Sequence, residues 1–144
     1  MNPIIKVKAL CIISRNGNEI LAGAGGRDDV KDESFGRLVG GGVEFGETSE
    51  IALRREFREE LNAELENIKL VDVVENIFMF NGQQGHQILF VYKGEFVDKS
   101  LYQKERIKIL DASNDAVWYS LEDLSSGKTK VYPEVDYEAI LENN

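Results

Sequence analysis

The sequence predicts a mixed α+β or α/β fold, a mixed β-sheet with helices on its faces. Three features of the chain predict this. Apolar strand-like runs lie on both sides of residue 50, one strongly patterned helix sits between them at Thr48 to Leu61, and a second helical segment closes the chain. No internal repeat, low-complexity tract or linker interrupts these elements, so the 144 residues are read as one domain, 1–144.

Ile4 to Ser14 is rich in Ile, Val and Leu and reads as a buried strand. Asn16-Gly17 signals a hairpin, with Glu19 to Ala24 as the returning strand. Gly25 to Ser34 is polar and rich in Gly and Asp, and reads as a loop. Phe35 to Val43 contains Gly36, Gly40, Gly41 and Gly42, so ordinary strand is not expected throughout it. In the helix, Thr48 or Ser49 caps the start, Glu50 suits the first turn, and Asn62 suits the left-handed residue that ends it. Two long strands follow, about Ile68 to Phe80 and His86 to Phe96, joined by Asn81-Gly82-Gln83-Gln84-Gly85. The charged stretch from Val97 to Asn114 reads as partly loop. Ala116 to Tyr119 reads as a short strand, Leu121 to Leu124 as a helical turn, and Tyr137 to Leu141 as a helix.

Composition narrows the chemistry. Hydrophobic residues make up 42% and charged residues 30%, the balance of a soluble globular chain. No apolar run approaches the ~18 residues of a membrane span, and the start lacks a signal-peptide layout, so no membrane association and a cytoplasmic location are expected. The net charge of −9 argues against binding nucleic acid polymers, which need a cationic surface. One cysteine, Cys11, lies in an apolar run and reads as a small buried hydrophobe rather than a nucleophile. One histidine, His86, rules out two-histidine zinc motifs, and no nucleophile-elbow sequence accompanies it.

On a helical wheel at about 100° per residue, Leu53, Phe57 and Leu61 form an apolar stripe, and Glu56, Glu59 and Glu60 form a second stripe beside it. Ala52 lies within that acidic stripe, one turn earlier, where the surface should be low and open. Like charges at this spacing destabilise a helix by roughly 0.2–0.5 kcal/mol per pair. An ordinary solvated face would relieve them with lysines at that spacing; here Arg54 and Arg58 fall well away from the stripe, and Arg55 borders it. A divalent cation would relieve the repulsion. With oxygen ligands only and no nearby Cys or His, the choice falls on Mg²⁺, with Mn²⁺ as the alternative.

After Gly40 the chain reads GGVEFGETSEIALRREFREELNA. Gly41, Glu47, Arg55-Glu56-Phe57, Glu59-Glu60 and Ala63 stand at the spacing of the box that marks the Nudix hydrolases, which this segment resembles. One specified position departs, Asn62 where the family has Gly. Asn is the next-best residue for a left-handed helix end, so the change is expected to be tolerated. Val39 stands where many relatives have Pro. The Trp118, Leu121-Glu122-Asp123-Leu124 and Tyr132-Pro133 ending also looks like the family's, more weakly.

The resemblance implies a Nudix-type α/β/α sandwich and Mg²⁺-dependent hydrolysis of a diphosphate linkage in a nucleoside diphosphate-linked substrate. Glu56, Glu59 and Glu60 match the family's metal-binding glutamates, and the Gly40 carbonyl matches its backbone ligand. Arg55 and Glu47 match a pair that orients the site. The general base is left open among Glu56, Glu59 and a later-loop acid such as Glu105, Asp111 or Asp115. Family subtypes are often marked by Pro or Tyr downstream of the box, and Phe78-Met79-Phe80 offers neither, which favours a nucleoside triphosphate or other small nucleotide. Phe78 and Phe80 are candidates to stack on a base, although strand alternation favours core packing for them, and Arg27 and Arg37 are candidates to meet phosphate. A homodimer is expected by analogy. The competing reading is a Nudix-like nucleotide-binding or regulatory module without catalysis.

Overall fold

The computed structural model describes residues 3–110 and 112–143. Alternation of side chains along the first strand fixes the two sides of the molecule. In β1 (Lys6–Ile12) and the residue after it, Ala9, Cys11 and Ile13 enter one core, and Leu10 and Ile12 enter another on the opposite face. Around β1 the other strands assemble: β2 (Ser14–Arg15), β3 (Glu19–Asp28), β4 (Glu33–Gly42), β5 (Leu65–Phe80), β6 (Gln83–Phe96), β7 (Arg106–Lys108), β8 (Asp115–Ser120) and β9 (Val131–Tyr132). The sheet order is β5-β6-β1-β4-β3-β8-β7, with β2 against β3 and β9 against β4. The β1–β6 and β4–β9 pairs are parallel and the others antiparallel, so the sheet is mixed.

One helix covers the first face and two cover the second. α1 (Ser49–Leu61) buries Ala52, Leu53, Phe57 and Leu61 against the Ala9–Cys11–Ile13 side. Leu53 and Phe57 are wholly buried, and side chains of this kind contribute about 1.5–3 kcal/mol each on burial. The opposite side carries Leu121 of α2 (Leu121–Ser126) and Tyr137 of α3 (Tyr137–Glu142). This is a three-layer α/β/α arrangement. Among the described residues, no helix is long and apolar enough to cross a membrane.

The ends of α1 follow from its sequence. Thr48 Oγ1 accepts the Ile51 N–H at 3.2 Å, and Asn62 turns left-handed at φ 51°. The Asn62 and Ala63 N–H groups then bond to the Arg58 and Phe57 carbonyls, which satisfies groups the helix end would orphan. Asn thus does what Gly commonly does there.

Several boundaries differ from the sequence reading, each for a physical reason. The expected loop Gly25 to Ser34 shrinks to residues 29–32, because β3 and β4 both run on past a register shift between Gly23 and Gly26. The glycine-rich segment is strand to Gly42, but it changes partner: Glu33 to Leu38 pair with β3, and Val39 to Gly42 pair with β1. The β5–β6 connection is a two-residue turn, Asn81 at φ 49° and Gly82 at φ 78°, with Gln83 already paired to Phe80. Residues 97–114 hold a 3₁₀ turn (Lys99–Gln103) and β7, whose Ile107 is buried.

Candidate active site

The glycines of β4 lie beneath the acidic stripe of α1. Gly40 sits at φ 148°, and a Cβ there would collide with the Ala9 carbonyl oxygen. A Cβ on Gly41 would collide with the Glu56 carboxyl group. The strand must therefore be bare for the helix to come this close. Ala52 follows the same logic: it is fully buried rather than open as the wheel suggested, because α1 settles its acidic side against the glycine strand.

Arg55 organises the carboxylates. Its Nε and Nη2 donate to Glu47 Oε2 and Oε1 at 2.8 and 2.9 Å, a forked pair, and Nη2 also donates to the Gly42 carbonyl at 2.9 Å. Nη1 donates to Glu56 Oε1 at 3.0 Å and Glu59 Oε2 at 3.2 Å. Glu47 Oε1 accepts the Glu44 N–H as well, at 2.9 Å. The Arg55 guanidinium, then the Glu44 N–H, hold the Glu47 carboxyl down to about 2. The Glu47 contact in turn raises Arg55 above the ordinary arginine range. Arg54 and Arg58 point elsewhere, to Glu50 at 3.4 Å and Glu64 at 2.8 Å.

Glu60 is different. It has no ion-pair partner among the described residues, and burial, then Glu56 and Glu59, push its carboxyl up to about 7, with Lys8 opposing. Lys8 is itself lowered, chiefly by burial and then by Lys6 and Arg37. Among the described residues no three carboxylates form a ready-made cation cluster. Arg55 Nη1 stands between Glu56 and Glu59 and offsets part of their charge. The residues nonetheless fit a divalent ion by their chemistry: the donors are all oxygen, Glu60 makes no ion pair among the described residues, and the Glu59 side chain is 59% exposed.

Glu60 and Gly40 border a cavity of about 850 Å³, a volume typical of small-molecule sites. Phe35, Phe78, Phe80 and Arg37 line it as well. The Arg37 guanidinium lies over the Phe35 and Phe80 rings at 5.0 and 5.4 Å and has no carboxylate partner among the described residues. Burial of Phe78 and Phe80 is only partial, so core packing does not claim them entirely.

Not every sequence candidate joins this group. Arg27 is exposed and turned to Asp29, Asp32 and Ser34, outside the cavity lining. Glu105 is exposed, Asp115 pairs with Arg106 at 3.7 Å, and neither lines the cavity. Asp111 lies outside the described residues. Cys11 is buried, and burial raises its thiol, while His86 lies half-buried in β6. Sequence reasoning passed over Lys8, Asn114 and Lys31, all on the cavity wall. A signal existed for the first: Lys6 and Lys8 recur with period two in an otherwise apolar run.

A family model described as the NUDIX domain matches residues 5–140. Among solved structures, a MutT NUDIX hydrolase from Burkholderia pseudomallei is 27% identical, covering 96% of this chain and 97% of that one, with a TM-score of 0.63. A NUDIX hydrolase from Nitrosomonas europaea (16% identity, 98% and 88% coverage, TM-score 0.62) and the mMutator MutT protein from Bacillus halodurans (16%, 96% and 80%, 0.61) share the fold.

Proposed function

This chain belongs to the NUDIX domain family, and on that premise we propose that it is a Mg²⁺-dependent pyrophosphohydrolase acting on a nucleoside triphosphate or other small nucleotide. Hydrolases of this family split nucleoside diphosphate linkages and use divalent cations. The observation that carries the reading for this chain is Glu60, a half-buried carboxylate on the cavity wall with two acidic neighbours and no ion-pair partner among the described residues.

Bound Mg²⁺, with Mn²⁺ as a substitute, supplies neutralisation of the phosphate oxygens and a water of lowered pKa. Glu56, Glu59, Glu60 and the Gly40 carbonyl are the ligands we assign to it. Arg55, itself fixed by Glu47, holds the Glu56 and Glu59 carboxylates in place. Glu56 or Glu59 accepts the proton of the attacking water. Glu105 and Asp115 do not line the cavity, so the role is assigned to the helix. Arg37, backed by two rings, meets phosphate or stacks on the base, and Phe78 and Phe80 supply apolar wall. Arg27 has no part in this scheme.

A second copy of this chain is the partner we assign to β5. That strand lies at the sheet's rim and exposes Leu70, Val73, Ile77 and Met79, and an unpaired apolar edge is a template for its own two-fold copy. Light scattering of the purified protein tests this, and a monomer at high concentration rejects it.

The function is tested with a panel of nucleotides, Mg²⁺ and identification of products. At least one should be split at a diphosphate linkage, and Glu59→Gln and Glu60→Gln should each abolish turnover while circular dichroism stays native. Undiminished activity in either variant rejects the assigned ligands. Binding without any product favours a non-catalytic module.

A further inference from the structure

Asp28 is the one charged residue buried among those described, at 2% exposure, and the hydrolytic scheme does not use it. It ends β3. Its Oδ1 accepts the N–H groups of Val30 and Lys31 at 3.0 and 2.9 Å, closing the turn that follows. Its Oδ2 instead reaches the tip of the β5–β6 hairpin and accepts the Asn81 N–H at 3.2 Å. Two further bonds join the same segments: the Asp29 N–H donates to Asn81 Oδ1 at 2.7 Å, and Lys31 Nζ donates to the Met79 carbonyl at 2.9 Å.

These two hairpins are not neighbours in the sheet, since β6 and β1 lie between β5 and β4. No ladder of backbone bonds can hold them together, so side chains must. The consequence falls on the cavity. Phe80 immediately precedes Asn81, and its ring meets Phe35 edge-on, centroids 6.1 Å apart, with Arg37 over both rings. Asp28 and Lys31 themselves border the same space.

We propose that Asp28 is a positioning residue whose buried carboxylate latches the β3–β4 turn to the β5–β6 hairpin and thereby holds the Phe80–Arg37 wall of the substrate cavity in shape. The kinetic part rests on the nucleotide-hydrolase reading above; the latch itself does not. A second carboxylate oxygen is the chemical requirement. Asn at this position could still close the local turn through one carbonyl, but its NH₂ cannot accept the Asn81 N–H. The latch acts on ground-state fit of the nucleotide and leaves α1 untouched.

The test uses Asp28→Asn and Asn81→Gly in the full chain. The glycine keeps the left-handed turn, and its own N–H, but removes the Oδ1 that Asp29 uses. Amide hydrogen exchange over residues 77–84, and KM and kcat on the best nucleotide of the panel, are compared with the parent protein. Loss of one cross-loop bond should raise exchange at 77–84 and KM by about tenfold, with kcat within about twofold and α1 protection unchanged. Unchanged exchange at 77–84 overturns the latch, and a fall in kcat at constant KM overturns its role in substrate fit. Should Asp28→Asn fail to fold, Asp28→Ser, whose hydroxyl oxygen can still accept the N–H groups of the local turn but is too short to reach the Asn81 N–H as well, carries both readouts. A parent protein that splits no nucleotide rejects the functional reading alone, and the exchange result still decides the latch.

Discussion

Replacing Glu60 by Gln removes a negative charge from the most strained electrostatic position in the site. Its carboxyl titrates at about 7 in the folded chain against 4.5 when unperturbed, chiefly through burial and then through Glu56 and Glu59. An acid raised in this way binds its proton more tightly when folded. The protein is therefore destabilised as pH climbs through the window from 4.5 to about 7, and the full penalty is present above it. At ~1.36 kcal/mol per tenfold, that interval corresponds to about 3 kcal/mol, and solvent screening of a half-exposed group reduces it to on the order of 1–2 kcal/mol. Glutamine carries no such penalty. In EDTA at pH 8, Glu60→Gln should melt roughly 3–6 °C above the parent protein. At about pH 3, where Glu60 is protonated in both states, the two should nearly coincide. Mg²⁺ at pH 8 should stabilise the parent protein more than the variant. Differential scanning calorimetry at both pH values reads all three effects. A variant less stable than its parent at pH 8, or an advantage that persists unchanged in acid, would refute the reasoning.

Other outcomes follow from the same geometry. Arg55→Lys keeps the charge but loses the fork to Glu47 and the reach to Glu56 and Glu59, so kcat should fall at least about tenfold in steady-state assays. Glu47, depressed to about 2, contributes stability that is complete above pH 4.5 and lost as pH falls towards 2; acid titration followed by circular dichroism should show this limb flattened in Glu47→Gln. Gly41→Ala places a methyl group against the Glu56 carboxyl, and should lower Mg²⁺ affinity about tenfold in calorimetric titration while the far-ultraviolet spectrum stays native.

The sequence carried α1 clearly, because a 3.6-residue apolar period, Thr48 and Asn62 all agree about where the helix runs and stops. Glu56, Glu59 and Glu60 were legible with it, since their shared side is a property of one helix. Arg55 was visible beside them for the same reason. β4 was harder, because glycines give no alternation to read, and its bareness makes sense only once α1 lies on it. That contact also buries Ala52, which a wheel drawn for an isolated helix leaves in the open. The two arginines flanking the glycines looked equivalent in the sequence. Strand register separates them: Arg37 reaches the cavity, whereas Arg27 is engaged by acids of its own turn. Asp28 and Asn81 lie 53 positions apart, and no local pattern announces their bond.

The proposed chemistry depends on Glu56, Glu59 and Glu60 together holding a divalent cation. Electron paramagnetic resonance of Mn²⁺ titrated into the metal-free protein measures this directly. The parent protein should capture Mn²⁺ at a site that weakens at least about tenfold in each single Glu→Gln variant and vanishes when all three are replaced. A triple variant that binds Mn²⁺ as tightly as its parent would contradict it.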